Sequence, residues 1–293
     1  MDSPAAVPLA SVFTAFSTQH QLQQALHDRF RLIAAATASV PINSHELALR
    51  PEDGSGHFQT EGWFRALTLK TQLWAEVAAN NPGRLILCSD NDITLLPGWV
   101  QALTETFLSA GKSLDLCFQR EGGTDPFFND FPYNSGFFLM NGSARVANFW
   151  REVSRRTAIE RPFAGDQTIV NGLLHRRPPN GGPVGCAAPS ETGGVEIRHT
   201  HFPPHLVVGG PAPHEAPRDG NQRAEGSQPD SAAARNAANV VLHEARAHHA
   251  TASGDSTGKL RALEAFLDAW LRFRNATRED YGLPRSVVDA VAP

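Results

Sequence analysis

The segment 84–89 (RLILCS) constrains the fold of this chain more than any other. Its apolar residues follow one another without alternation, and the turn-forming sequence NNPG precedes them. Such a run is typical of a strand that is buried on both faces, because helices cover both sides of a parallel sheet. The segment therefore predicts a protein of the α/β class.

Alternating strand-like and helix-like segments surround this run. Strands are predicted at 11–16, 39–42, 113–118 and 132–140, with weaker candidates at HTHFP (199–203) and at 240–243, and residues 45–59 are predicted to form a loop. Apolar residues at helical spacing predict helices at 19–36, 60–80, 98–110, 143–156, 166–175 and 257–274. The alternation indicates an open, mostly parallel α/β sheet with helices on both faces.

The composition changes once along the chain. From about residue 203 to residue 239, Pro, Gly, Ala, Asn and charged residues dominate and no periodicity is visible. We expect a flexible insert at about 211–236. The sequence thus predicts a single domain over residues 1–275, interrupted by this insert, and a C-terminal tail over 276–293.

Charge and cysteine content exclude several classes of protein. With a net charge of -4 and a pI of about 6.3, the chain is not expected to bind nucleic acid or an anionic membrane. The three cysteines, Cys88, Cys117 and Cys186, form no C-x-x-C pair, which disfavours a zinc knuckle or a redox motif. No apolar run reaches the ~20 residues of a membrane span, and the N-terminal segment is a poor signal peptide. We expect a soluble protein, with its compartment left open.

An acidic pair directly follows the buried strand. Asp90, Asn91 and Asp92 lie at its carboxyl end, which is where ligands bind in open α/β sheets. Carboxylates at positions i and i+2 leave a strand on the same side, so Asp90 and Asp92 can face one cation. Hard divalent ions such as Mn²⁺ and Mg²⁺ prefer such oxygen ligands and often share them with phosphates. A plainer alternative is a solvated turn that caps the next helix.

The same residues also fit the D-x-D-x-T motif of haloacid-dehalogenase-like phosphatases. Asp90 would then be the nucleophile and Asp92 the general acid. That family needs a downstream second acidic motif, and the nearest match, GDQTIVN at 165–171, lacks its second acid. The strand also begins almost ninety residues into the chain, whereas such a domain usually begins with it.

The order of four short motifs resembles the nucleotide-diphospho-sugar transferase family of the GT-A type. An apolar strand ending in SDND is followed by YNSGFFLMN, GDQTIVN and HHATASGDSTGK. The resemblance covers residues 60–265 apart from the insert. It implies a GT-A-like catalytic domain that transfers a sugar from a nucleoside-diphosphate-sugar donor to a hydroxyl of a glycan, protein or small-molecule acceptor. A non-catalytic descendant that binds a nucleotide or a glycan is a further alternative.

The resemblance also assigns roles to individual residues. It implies a Mn²⁺ (or Mg²⁺) site formed by Asp90, Asp92 and His249, although His243 and His248 are alternatives to His249. Residues implied in binding the nucleotide-sugar are Asp90, Asn91, Asp92, Lys70, Ser135, Gly136 and Lys259. The implied catalytic residues, near the transferred sugar, are Asp166, Gln167 and Asn134. Thr251 stands where the family has Asn, so its role is in doubt.

Overall fold

A computed structural model describes residues 9–17, 21–49, 60–111, 114–120, 132–162, 165–174, 196–209, 244–250 and 256–283. The nine strands in these ranges are β1 (Leu9–Phe16), β2 (Ile42–Glu46), β3 (Leu85–Ser89), β4 (Ile93–Leu95), β5 (Leu116–Arg120), β6 (Tyr133–Asn141), β7 (His199–His201), β8 (Val207–Gly209) and β9 (Ala247–His249). The helices are α1 (Gln21–Thr37), α2 (Glu61–Asn80), α3 (Trp99–Ser109), α4 (Ala144–Glu160), α5 (Asp166–Leu174) and α6 (Ser256–Phe273), and a 3₁₀ turn covers Glu279–Tyr281.

Six strands form the central sheet, in the order β2-β1-β3-β6-β5-β7. Strand β6 is antiparallel to both of its neighbours, whereas the pairs β1–β2, β1–β3 and β5–β7 are parallel. The prediction of an open, mostly parallel α/β sheet is therefore confirmed. The buried segment 84–89 forms β3, near the middle of the sheet.

Helices cover both faces of this sheet, as the sequence predicts. On β3, Ile86 and Cys88 pack toward α2, α4 and α5, while Leu85 and Leu87 pack toward α1 and α3. Successive side chains of a strand point to opposite faces. An uninterrupted apolar run is thus the pattern that a strand between two helical layers needs.

Local sequence signals fix where α2 and α4 begin. The Thr60 hydroxyl accepts a hydrogen bond from the Trp63 N–H at 3.3 Å, and the Ser143 hydroxyl accepts one from the Val146 N–H at 3.2 Å. Both are N-caps, which satisfy an amide that has no partner within the helix. The α2 cap confirms the predicted start of that helix at residue 60.

A second, three-stranded sheet was not predicted. Strand β9 lies between β4, to which it is antiparallel, and β8, to which it is parallel. The sequence predicts a weak strand candidate at 240–243 and none after it, whereas Ala247–His249 pairs with Ile93–Leu95 and becomes a strand. Strands β4, β8 and β9 are each only three residues long, so the sequence shows no periodicity from which they could be predicted.

Several boundaries differ from the prediction. Strand β2 covers Ile42–Glu46 rather than 39–42, so the predicted loop at 45–59 overlaps its end. Residues 276–283 pack on α6 through Leu283, which is buried. Some of the predictions concern parts of the chain outside the described residues: the insert at 211–236, the strand-like segment 240–243, His243, Cys186 and Thr251. The domain division therefore remains a prediction.

Among the described residues, no helix combines the length and apolar character that crossing a bilayer requires.

Candidate active site

The acidic pair lies where β3 passes into β4. The Asp90 N–H donates to the Gly136 carbonyl oxygen at 2.6 Å, and the Asp92 carbonyl oxygen accepts from the Ala250 N–H at 3.0 Å. The central sheet thus holds the first aspartate through β6, and the small sheet holds the second through β9. Segments that are far apart in sequence meet at these two carboxylates.

Asp92 is buried between two basic side chains. Its Oδ1 lies 3.2 Å from His249 Nε2, and its Oδ2 pairs with Lys259 Nζ at the start of α6. Burial acts to raise the pKa of Asp92, but the charges of Lys259 and His249 outweigh it and hold the pKa well below its ordinary value. Asp92 is therefore ionised at neutral pH.

His249 is oriented by a residue that the sequence did not single out. Its Nδ1 lies 2.6 Å from Gln119 Oε1, a carbonyl oxygen that can only accept. Nδ1 therefore carries a proton, and Nε2 is the ring nitrogen that faces Asp92. Nothing in the sequence around Gln119 signals this role, because only the pairing of β5 and β6 brings it beside the site.

These groups fit a divalent cation. Ligand atoms of Asp90, Asp92 and His249 lie within 4.8 Å of one another. Asp92 Oδ1 is buried and receives no hydrogen bond from a described residue. A carboxylate oxygen and an imidazole nitrogen at this distance can share a cation, and a histidine whose other nitrogen is held by a hydrogen bond is typical of a metal ligand.

Gly136 keeps the space at this cluster open. A Cβ at this position would lie 2.6 Å from Asp90 Oδ2 and 2.9 Å from His249 Cε1. Both distances are shorter than van der Waals contact, so a side chain at position 136 would displace the predicted ligands. The small residue is a requirement of the site, as expected where a ligand approaches the backbone closely.

Lys70 links two carboxylates at the other side of the cluster. Its Nζ lies 3.3 Å from Asp90 Oδ1 and 3.1 Å from Asp166 Oδ2. Burial acts to lower the pKa of Lys70, but the two carboxylates raise it above its ordinary value. Partial burial raises the pKa of Asp90, against the opposing charge of Lys70. The two aspartates of the pair are thus shifted in opposite directions.

The other predicted catalytic residues surround the same space. Asn134 Oδ1 accepts the Gly136 N–H at 2.7 Å and so shapes the backbone of β6 beside Asp90. Ser135 is buried next to it. Gln167 is half-buried in the first turn of α5, directly after Asp166. The NSG and GDQ motifs thus lie on two elements that contact each other, β6 and α5.

Asn171 joins α5 to the start of β6. Its Oδ1 accepts the Tyr133 N–H at 3.0 Å, and its Nδ2 donates to the Tyr133 carbonyl oxygen at 2.8 Å. Both ends of the amide are therefore used to hold α5 against the start of β6. In the spacing G-D-x-x-x-D of the phosphatase motif, the second acid would fall at Val170, a buried apolar residue. This gives no support to the phosphatase alternative.

Asn91 has a different orientation from the two aspartates. Its Oδ1 accepts from the Thr14 hydroxyl at 2.6 Å, and its Nδ2 donates to the Ala15 carbonyl oxygen at 2.9 Å. The amide is thus directed toward the end of β1, and the backbone of the acidic turn is anchored there.

The remaining histidines take other positions. His248 is buried and stacks on Phe266 with ring centroids 4.1 Å apart, so it packs against α6. His199 and His201 lie in β7, beside the ring of Tyr133. Of the two described candidates in the C-terminal motif, His249 is the one that joins Asp90 and Asp92.

A cleft of about 200 Å³ opens beside these residues. Its charged wall contains Lys70, Asp90, Asp92 and Lys259. Its apolar wall contains Phe16, Leu26, Leu47, Leu49, Trp63 and Leu67. A cleft with a charged end and an apolar end suits a ligand that has both kinds of group.

A protein-family model described as nucleotide-diphospho-sugar transferase matches residues 28–204. The match contains Lys70, the acidic pair, the NSG motif and the GDQ motif, but it ends before His249 and Lys259. No curated protein matches the chain significantly.

Three solved structures are similar to the chain. A glycosyltransferase involved in the glycosylation of the major capsid of PBCV-1 has a TM-score of 0.53 at 11% identity, over 87% of this chain and 99% of that one. Mouse xyloside xylosyltransferase 1 has a TM-score of 0.46 at 10% identity, over 84% and 99%. GlyE of Streptococcus pneumoniae TIGR4 has a TM-score of 0.49 at 13% identity, over 95% and 65%. The first similarity agrees with the predicted GT-A-like fold.

Proposed function

Because the chain belongs to the nucleotide-diphospho-sugar transferase family, we propose that it is a metal-dependent glycosyltransferase. It would transfer a hexosyl or pentosyl group from a nucleoside-diphosphate-sugar to a hydroxyl of a glycan, protein or small molecule. The observation that carries this proposal is the convergence of Asp90, Asp92 and His249 beside a cleft that the two aspartates line.

Asp90, Asp92 and His249 would hold the cation. Two carboxylates and one imidazole suit Mn²⁺, and Mg²⁺ is the alternative. When bound, the ion would neutralise the charge that develops on the diphosphate as the glycosidic bond breaks. Gly136 would leave room for it, since a Cβ there would meet Asp90 and His249.

The charges of the site support a diphosphate ligand. Three carboxylates, those of Asp90, Asp92 and Asp166, face two ammonium groups, those of Lys70 and Lys259. A divalent cation would change this excess of negative charge into an excess of positive charge. Lys259, whose side chain is 32% exposed, would supply a point charge to the phosphates.

Asp166, Gln167 and Asn134 would lie beside the transferred sugar. In the reaction, the bond between the anomeric carbon and the diphosphate oxygen breaks, and a bond between that carbon and the acceptor oxygen forms. The acceptor hydroxyl loses its proton, and the diphosphate leaves with the bonding electrons. Asp166 would orient a sugar hydroxyl or accept a proton, with Lys70 holding its carboxylate in place.

The test is a screen of UDP- and GDP-sugars for donor hydrolysis and transfer, with Mn²⁺ and with a chelator. We expect turnover of one donor class that is lost with the chelator and in Asp92→Asn. Glu105→Gln is the matched control, because Glu105 is an exposed acid on α3 that bonds only to Gln101 among the described residues. Its turnover should equal that of the unaltered protein.

Other outcomes would favour the alternatives. Nucleotide binding without turnover of any donor would indicate a non-catalytic descendant. Hydrolysis of a simple phosphomonoester that is lost in Asp90→Asn would indicate a phosphatase. Either result would contradict the proposed transfer reaction.

A further inference from the structure

We infer that Thr14 and His27 act through Asn91 as positioning residues for the two predicted metal ligands on either side of it. This inference rests on the proposed function, because it concerns the cation that Asp90 and Asp92 would hold. It gives Asn91 the role of an anchor for the acidic turn, in place of the direct contact with the nucleotide-sugar that the family resemblance implies.

The contacts of Asn91 carry the first step. Its carboxamide is engaged on both sides, because Oδ1 accepts from the Thr14 hydroxyl at 2.6 Å and Nδ2 donates to the Ala15 carbonyl oxygen at 2.9 Å. Both partners lie at the end of β1, and Asn91 itself is only 7% exposed. These bonds determine where the backbone of residue 91 lies, and with it the two flanking aspartates.

His27 adds a contact from a different element. It lies on α1 with its Nδ1 3.3 Å from Asn91 Oδ1. Because that oxygen can only accept, the Nδ1 of His27 carries the proton. Thr14 and His27 therefore converge on one oxygen, from the sheet and from the helix that covers it.

The ring of His27 connects this anchor to the cleft. It is buried and stacks on Phe16, with centroids 3.8 Å apart and planes 7° apart. Phe16 lines the cleft next to Asn91. One imidazole thus holds both the acidic turn and part of the apolar wall in place.

The test compares Mn²⁺ affinity with folding stability in the full chain, without any nucleotide. Free Mn²⁺ is followed by its EPR signal, and stability is followed by urea unfolding. Thr14→Val keeps the shape of the side chain but removes the donor, so we expect Mn²⁺ to bind about tenfold more weakly or worse. Thr14→Ser keeps the donor but removes a buried methyl, so it should lower the urea midpoint and leave the Mn²⁺ affinity within about twofold.

Two further variants complete the comparison. His27→Phe keeps a ring against Phe16 and loses the N–H, so its Mn²⁺ affinity should fall as in Thr14→Val. Thr104→Val removes a buried hydroxyl on α3 that has no hydrogen bond to a described residue, and it should bind Mn²⁺ like the unaltered protein.

The outcomes separate this inference from the proposed function. If Thr14→Val and His27→Phe bind Mn²⁺ as well as the unaltered protein does, or if Thr14→Ser loses as much affinity as Thr14→Val, the positioning role is overturned. If the unaltered protein binds no Mn²⁺, the metal-dependent function is overturned. The positioning role, which depends on that function, is then overturned as well.

Discussion

His249 Nδ1 and Gln119 Oε1 lie 2.6 Å apart, although 130 residues separate them in sequence. This hydrogen bond leaves Nε2 of His249 directed at Asp92. The orientation of one predicted metal ligand therefore depends on a residue of a different sheet.

Replacing Gln119 by Leu should weaken Mn²⁺ binding by about 10- to 100-fold, since partners that orient a ligand usually matter to this extent. Calorimetric titration with Mn²⁺ measures the effect. Gln101→Leu is the matched control, because Gln101 is an exposed glutamine on α3 that donates to Glu105. Equal losses in the two variants would contradict the specific role of Gln119.

A methyl group at position 136 should abolish turnover. In Gly136→Ala the new Cβ would overlap Asp90 Oδ2 and His249 Cε1, so the ligands must move, at a cost in stability of about 1–3 kcal/mol. Gly172→Ala is the control, because a Cβ there meets nothing within 4 Å. It lies in α5 and should raise stability by up to about 1 kcal/mol. Donor turnover and urea unfolding of both variants check this prediction.

Lys70→Met should destabilise the protein in a manner that depends on pH. The change leaves the carboxylates of Asp90 and Asp166 without their ammonium partner. We expect a loss of about 2–3 kcal/mol at pH 7, below the full value for a buried pair because Asp90 is 34% exposed.

The sign of the pH effect follows from the pKa of Asp90, which partial burial raises and Lys70 opposes. Without Lys70 this pKa rises further above that of the unfolded chain. The folded state then takes up protons before the unfolded state does as the pH falls, so the deficit should shrink between pH 7 and pH 5. Urea unfolding at both pH values measures it, and a deficit that grows toward pH 5 would contradict the prediction.

Glu264→Gln should destabilise the protein by about 3 kcal/mol, because it removes the charge that neutralises a buried guanidinium. Glu264 Oε1 accepts from Arg29 Nε at 2.6 Å, and the two side chains are 7% and 1% exposed. This pair joins α6 to α1. Asp268→Asn is the control, since Asp268 is 47% exposed and should contribute less than about 1 kcal/mol. Thermal or urea unfolding of both variants measures the difference in their stability.

Much of the fold could be predicted because its signals are local. The apolar run at β3 indicated a strand between two helical layers, and Thr60 indicated where α2 begins. The acidic pair could be located because it follows that strand directly. The strands β4 and β9 were missed because each has three residues, which is too short for a period to be recognised.

The sequence by itself determined the class of fold, the central strand and the residue types that gather around Asp90 and Asp92. The family resemblance favoured His249 but left His243 and His248 as alternatives, since each is an imidazole in the same short stretch. Only the tertiary structure decided between His248 and His249, because pairing of β9 with β4 turns one ring toward Asp92 and the next toward Phe266. The roles of Gln119 and Asn91 were decided in the same way. Each depends on hydrogen bonds between segments that are distant in sequence, and such bonds produce no recognisable sequence pattern.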